Sequence, residues 1–324
     1  MHPDQASNLN SDVVTTRERP LTSGNVNEAA DLIHHSLFTP ELHGCDPVEA
    51  CRELLDAGSM MGDLIDLVAP DGESRVIAIG GGVFVPSRVP AAAREQPRPG
   101  LAERVLCSRV ASAQVTLNRR EIETANAQDG LSLVVLLHNW IDALSDEVAV
   151  EVRRHLMVGF LRDVQGFKLI EVLAEGRESE LKWVLAGGFR VRSDYADWYA
   201  EHSEPQPRRL LVGMARDEVP ASEGSLLSLV FNYTPPRFGF TASQRKLLSH
   251  AVQHKTDSEI AAALGVSLSA VKKTWAAIFD RVSDDFPEMD NARATTGRSP
   301  ATRGAQKRHR LLTYLQNHPE ELKP

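Results

Sequence analysis

The residues of this chain whose types could do chemistry fall into a few groups, and spacing decides what each can do. The adjacent Lys272 and Lys273, with Ser269, Thr274 and Ala276 around them, carry the sharpest signal. Ammonium groups on one helix face donate to guanine O6/N7 or to phosphate oxygens, and a neighbouring alanine admits a thymine methyl. The hydroxyls of Thr256, Ser258 and Ser267 stand just upstream, at positions that read as helix starts. His34, His35, His43 and Cys45 invite a metal reading, but adjacent helical histidines point about 100° apart, so ordinary side chains are expected there. Gly80-Gly81-Gly82 follows a strand signal, yet a phosphate cradle would need a Lys-Ser/Thr helix start after it. Val83-Phe84-Val85 follows instead, and the run is expected to permit a bulge or a close strand contact. Trp183, Tyr195, Trp198 and Tyr199 surround Gly187-Gly188-Phe189, where they either line an apolar pocket or pack as core. No Ser/His/Asp order, nucleophile elbow or Cys–His pairing is visible. The sequence therefore assigns no catalytic residue, no metal and no cofactor, and a non-enzyme is expected.

The elements that must position the lysines are legible. Thr241-Ala242-Ser243-Gln244 and Thr256-Asp257-Ser258-Glu259 are capping boxes, and Ser267 caps a third helix. Leu264-Gly265-Val266 leaves room only for a tight turn between the second and third helices. Val271, Trp275, Ile278 and Val282 recur at i, i+4, i+7 and i+11, one apolar stripe opposite the lysines. Leu247, Leu248, Ala251, Val252, Ile260 and Leu264 complete that core. Two helices crossing through a short glycine turn form a helix-turn-helix, whose second helix enters the DNA major groove.

Residues 240–282 resemble the LuxR-type helix-turn-helix. Phe240-Thr241 stands for its opening L-T, Thr256 to Ala261 for S-N-K-E-I-A, Val271-Lys272 for V-K, and Ile278 with Val282 for the closing apolar pair. His254, Ala270 and Thr274 depart from the usual Gly, Thr and His. The resemblance implies a transcription regulator that binds double-stranded DNA as a homodimer. The direction of regulation is left open. The customary dimerising helix is absent after Val282, and Leu311, Leu312 and Leu315 in a helix from Gln306 to Asn317 offer the replacement apolar face.

Ahead of this module, residues 17–235 read as an α/β (α+β) regulatory or sensor-like domain. Helices are expected from Ser23 or Asn25 to Leu37 and from Pro47 to Ala57, a β-hairpin over 62–86, and a surface loop over 86–100. Leu131–Leu137 is too apolar to face water on either side. A helix from Ser145 to Arg162, a strand Phe167–Leu173, a helix Glu178–Ala186 and strands Leu210–Met214 and Leu226–Phe231 follow. This order, with Glu180–Val191 (ELKWVLAGGFRV), resembles a GNAT-type N-acyltransferase fold. That family holds acyl-CoA pyrophosphate on a glycine-rich loop after the central strand, yet His138 to Val152 contains no glycine, so the resemblance implies the shell without its cofactor chemistry. A PAS- or GAF-type sensor is the alternative. The layout fits neither a phosphoreceiver nor an acyl-homoserine-lactone domain.

Charge and composition agree with a two-part chain of 324 residues. The net charge is −8, but residues 238–324 carry 13 Lys/Arg against 9 Asp/Glu, a balance of +4, leaving −12 for the rest. Cys45, Cys51 and Cys107 make no C-x-x-C pair, so no disulfide framework is expected. No basic-then-apolar leader and no long apolar run occur, so a cytoplasmic protein with no membrane contact is expected. The partition is a disordered 1–16, the domain 17–235, the helix-turn-helix 236–283, a linker 284–305 and a last helix 306–324. The function expected is a DNA-binding regulator that senses a small-molecule effector or partner. An acyltransferase-like enzyme fused to a DNA-binding tail is the alternative.

Overall fold

A computed structural model describes residues 15–37, 44–109, 115–202, 208–219, 226–283 and 300–323. Residues 1–14 of the expected disordered start, His43 and residues 284–299 of the expected linker lie outside the described residues. The chain divides into two units, Met1–Val164 with Lys168–Asn232, and Gln165–Phe167 with Tyr233–Pro324.

The first unit is mixed α/β around one seven-stranded sheet. Its strands are β1 (Thr15–Pro20), β2 (Met60–Val68), β3 (Ser74–Val85), β4 (Leu131–Trp140), β5 (Leu169–Arg177), β6 (Arg190–Ser193) and β7 (Arg209–Ala215), in the spatial order β1-β2-β3-β4-β5-β7-β6. The helices are α1 (Ala30–Ser36), α2 (Pro47–Asp56), α3 (Arg88–Glu95), α4 (Leu101–Leu106), α5 (Arg119–Ala127), α6 (Asp146–Val164), α7 (Glu178–Ala186) and α8 (Ala196–Glu201). Every neighbouring pair of strands is antiparallel except β4 with β5. A parallel neighbour needs a crossover, and the 19-residue α6 supplies it. Ile33, Cys51, Leu54 and Leu106 pack on one sheet face against Leu64, Ile79, Val134 and Leu137. Val152 and Leu156 of α6 and Leu181 and Val184 of α7 cover the other.

Several expectations are corrected. The Pro- and Arg-rich stretch 86–100 contains α3, which buries Val89 and Ala93. Leu101–Leu106 and Arg119–Ala127 form α4 and α5, the latter started by a capping box between Asn118 and Glu121. Leu226–Phe231 is a 3-10 turn, not a strand. β1, which takes in Thr15 and Thr16 of the expected disordered start, pairs along β2 because Arg17 and Arg19 both reach the buried Asp66 carboxylate, at 2.9 and 2.8 Å. Cys45 and Cys107, 62 residues apart, form a disulfide that spacing could not announce. Their Cα atoms stand 5.8 Å apart, inside the normal range for such a bond.

The described residues of the second unit form helices and turns: α9 (Ala242–Val252), α10 (Asp257–Leu264), α11 (Leu268–Val282) and α12 (Pro300–Asn317). Both expected capping boxes are made, and the Ser267 hydroxyl accepts the Ala270 N–H. Gly265 closes α10 at φ +64°, a left-handed cap that glycine adopts without a Cβ penalty. Leu311 and Leu315, expected as a dimer face, are buried in the same core as Leu247, Ile260, Trp275 and Ile278. That face is spent within the chain, so it does not supply the dimer contact expected of it. Arg308 bonds Asp257 at 2.7 Å and covers the Trp275 ring at 4.4 Å. The hydroxyls of Thr256 and Thr274 are likewise used inside the unit, on Glu259 and on the Ala270 carbonyl.

Two stability outcomes follow. A Cβ at Gly62 would sit 2.2 Å from the Gly80 carbonyl oxygen of the neighbouring strand. Gly62→Ala is therefore expected to cost roughly 1–3 kcal/mol in a urea titration. Trp275→Ala, which removes a buried ring, its Nε1 bond to Asp257 and the Arg308 contact, is expected to cost about 3–5 kcal/mol. Thermal melts of the full chain monitored at a probe in the second unit would register the loss.

Candidate functional site

The parallel pairing of β4 with β5 runs only from Leu131–Leu169 to Val135–Ala174. Beyond it the two strands make no cross-strand pair, although β4 stays bonded to β3 as far as Trp140. A bulge marks the point of parting. Gly81 pairs with Leu137 and Gly82 with Val135, so Leu136 is the extra residue. One inserted residue reverses which face the following side chains occupy. Leu136 and Leu137 therefore both join the α1 side, and His138 is carried to the α6 and α7 side.

A cavity of about 100 Å³ opens at this parting. On the α6 and α7 side its floor consists of positions with little or no side chain, Gly80, Gly82, Ala174 and Gly176, and its walls are Leu156, Met157, Phe160, Leu181, Trp183 and Phe189. Glu175, Leu136 and Asn139 reach it from the opposite face of the sheet, through the gap between the strands. The expected reading of the triple glycine as a bulge and close-contact device is borne out. A Cβ at Gly80 would meet Leu156 at 2.9 Å, and one at Gly82 would meet the Val134 carbonyl at 2.9 Å. Of the aromatic set, Trp183 and Phe189 line the cavity, whereas Tyr195, Trp198 and Tyr199 belong to the core under α1 and α2.

The polar groups of the cavity are few and placed by strand register. Asp63 on β2 pairs with Gly80 on β3, and Gly80 pairs with His138 on β4. The three form one cross-strand row on one sheet face, and Leu156 of α6 packs directly over Gly80 in the middle of that row. Two strand spacings put their backbones about 10 Å apart. His138 stands edge-on to Trp140 at 5.3 Å and beside Trp183 at 4.9 Å. Its Nε2 is buried with no hydrogen-bond partner, and burial pulls its pKa down to about 4, which keeps the imidazole neutral.

Asp63 is driven the other way. Burial first, and then the neighbouring Asp163, push its carboxyl up to about 7 against the pull of Arg162, whose Nη2 lies 2.7 Å from Oδ1. Its other oxygen rests against the backbone of Gly159 in α6, where a Cβ would stand 2.4 Å away. Arg162 also binds Glu18 of β1, so the guanidinium ties β1, β2 and α6 together. Glu175, on the far side of the gap, is likewise raised to about 7 by burial and by Glu103. Both of its oxygens accept backbone N–H bonds, from Gly100 at 2.8 Å and Leu101 at 2.6 Å, which suits an anchor for α4 better than a proton carrier. A buried acid held near neutrality and, two strands away in the same row, a neutral imidazole are the kinds of group used for proton transfer at neutral pH. Among the described residues no cluster could hold a metal ion, and no helix is long and apolar enough to cross a membrane.

The residues singled out from sequence lie elsewhere. Ser267, Ser269, Lys272, Lys273 and Ala276 are exposed on α11 or its cap, Thr274 is half-buried, and Thr256 and Ser258 flank the start of α10. None lines the cavity. Asp63 and His138 escaped the sequence reading because register alone brings three separate strands into one row. The signal that pointed toward them was the triple glycine inside a strand.

No family model matches the chain, and no curated protein matches it. Solved structures do. FeeM, an N-acyl amino acid synthase from uncultured soil microbes, aligns with 63% of this chain and 93% of its own, at 12% identity and a TM-score of 0.35. The C-terminal condensation domain of Ebony in complex with beta-alanyl-dopamine aligns with 62% of this chain and 99% of its own, at 10% identity and a TM-score of 0.31. These findings correct the LuxR-type expectation. No family model supports it, and the two aligned proteins are a synthase and a condensation domain. The transcription regulator, its DNA partner and the expected absence of enzyme activity are set aside with it.

The raised Asp63 carboxyl makes a prediction about stability. Below the ordinary carboxylate range Asp63 is protonated in both folded and unfolded chains and contributes nothing. Between that range and about 7 only the unfolded chain releases its proton, so stability falls as pH rises through this window. Asp63→Asn removes that loss. It is expected to gain roughly 1–3 kcal/mol on the parent between pH 4 and 8, read from urea midpoints across pH.

Proposed function

We propose that the first unit is an N-acyltransferase that moves an acyl group from a thioester to a primary amine. The observation that carries this is the parting of β4 from β5 over a cavity whose one sheet row holds Asp63, Gly80 and His138. The strand order, with its single parallel pair, supports the GNAT-type resemblance read from element order.

In this reading the thioester enters the gap between β4 and β5, where the β5-facing edge of β4 is no longer used for pairing. Asp63, Asp163 and Glu180 give the cavity an acidic side suited to an ammonium group. The Asp63 carboxylate takes one proton from that ammonium, and the freed amine nitrogen attacks the thioester carbonyl carbon. The carbon–sulfur bond breaks as the amide forms, and the amine's second proton leaves with the thiolate as thiol. His138, neutral and with a buried Nε2 that has no protein partner, supplies a single hydrogen bond that orients the reacting group. The apolar walls exclude water that would otherwise hydrolyse the thioester.

Release of free thiol from a butanoyl thioester, followed across a panel of primary amines and amino acids, tests the proposal. Amine-dependent release is expected, rising with pH through an apparent pKa near 7. Asp63→Asn is expected to lower kcat by about 10²–10⁴ and to abolish that pH step. Amine-independent release, or none with any acceptor, would sink the assignment.

A further inference from the structure

Resting on the acyl-transfer reading, we infer that the donor is held by its acyl and thioester end and that no coenzyme A diphosphate is gripped at the start of α6. The GNAT-type resemblance implies such a grip. A helix start that follows a strand is a natural anion site, because its first N–H groups lack partners and its dipole end is positive. This chain fills that place with its own charges. Asp146 and Glu147 occupy the first turn of α6, Asp142 stands in the preceding loop, and all three are exposed. The Ser145 hydroxyl already accepts the Val148 N–H. Residues 138–152 contain no glycine to let a phosphate approach the backbone, and no Lys or Arg to neutralise one. Farther along, Arg154 is committed to Glu151 at 2.5 Å. A diphosphate docked on this loop and first turn would meet three exposed carboxylates and no Lys or Arg before Arg153, whereas a neutral pantetheine-type arm meets no such barrier.

The donor class assigned is therefore a thioester whose recognised part ends before any diphosphate. Binding and turnover of butanoyl-pantetheine and butanoyl-coenzyme A by the full chain test this. Dissociation constants come from quenching of tryptophan fluorescence, since Trp183 lines the cavity. The two donors are expected to bind within about threefold of one another at low salt, a difference too small for a diphosphate contact. The variant Asp142→Asn/Asp146→Asn/Glu147→Gln is expected to tighten butanoyl-coenzyme A several-fold at low salt and to leave butanoyl-pantetheine unchanged. The inference is overturned if coenzyme A thioester binds more than about 30-fold tighter than its pantetheine counterpart. It is equally overturned if adenosine 3′,5′-bisphosphate displaces the bound coenzyme A thioester, or if neither donor binds. Binding without amine-dependent thiol release would leave the inference standing and defeat the acyl-transfer reading instead.

Discussion

β4 is held by β3 along nearly its whole length and by β5 over only half of it, and the site depends on that unequal hold. A strand that keeps both neighbours has every backbone group paired and no room beside it. Releasing one side opens a gap through the sheet without giving up the strand's support. The bulge at Leu136 makes the release useful, because it turns His138 from the α1 face to the face of α6 and α7 at the point where the gap begins. Glycine and alanine at the floor then keep the opening from being filled from within. A larger residue at Gly82 would strike the β4 backbone itself.

Electrostatics and packing meet at Asp63. Its carboxyl is buried between α6 and the sheet, which disfavours charge, while Arg162 favours it. Arg162 reaches Asp63 only because Gly159 lets the helix come close enough, and it also holds Glu18 of β1. The strand least visible in the sequence thus contributes to the group with the most perturbed acidity at the site. His138, by contrast, has no charged partner, and burial alone keeps it neutral. Burial disfavours the charged form of both groups in the row, so it pushes the acid up and the imidazole down, which separates their roles.

The second unit follows the same logic of closing an apolar surface locally. α9 to α11 leave a face that α12 covers with Leu311 and Leu315, and the buried Glu321 carboxylate accepts the N–H groups of Arg237 and Phe238, fixing the entry of the unit. An apolar helix face in a sequence looks the same whether its partner is another chain or a helix a few turns away.

Local physics was legible in the sequence. The capping hydroxyls of Thr241, Thr256 and Ser267, the apolar stripe of α11, the run Leu131–Leu137 and the helix after Ser145 all rest on interactions within a few residues, so the string of residues already contained them. So did the triple glycine, read as a bulge or close contact before any strand was placed. What only the tertiary structure decided is which distant residues stand side by side. β1 is polar in sequence and becomes a strand because Asp66 waits for Arg17 and Arg19. Cys45 meets Cys107 across three helices and two strands of intervening chain. Asp63 and His138 share one row because two strand registers and one inserted residue align them, and no periodicity along the chain encodes a register between strands.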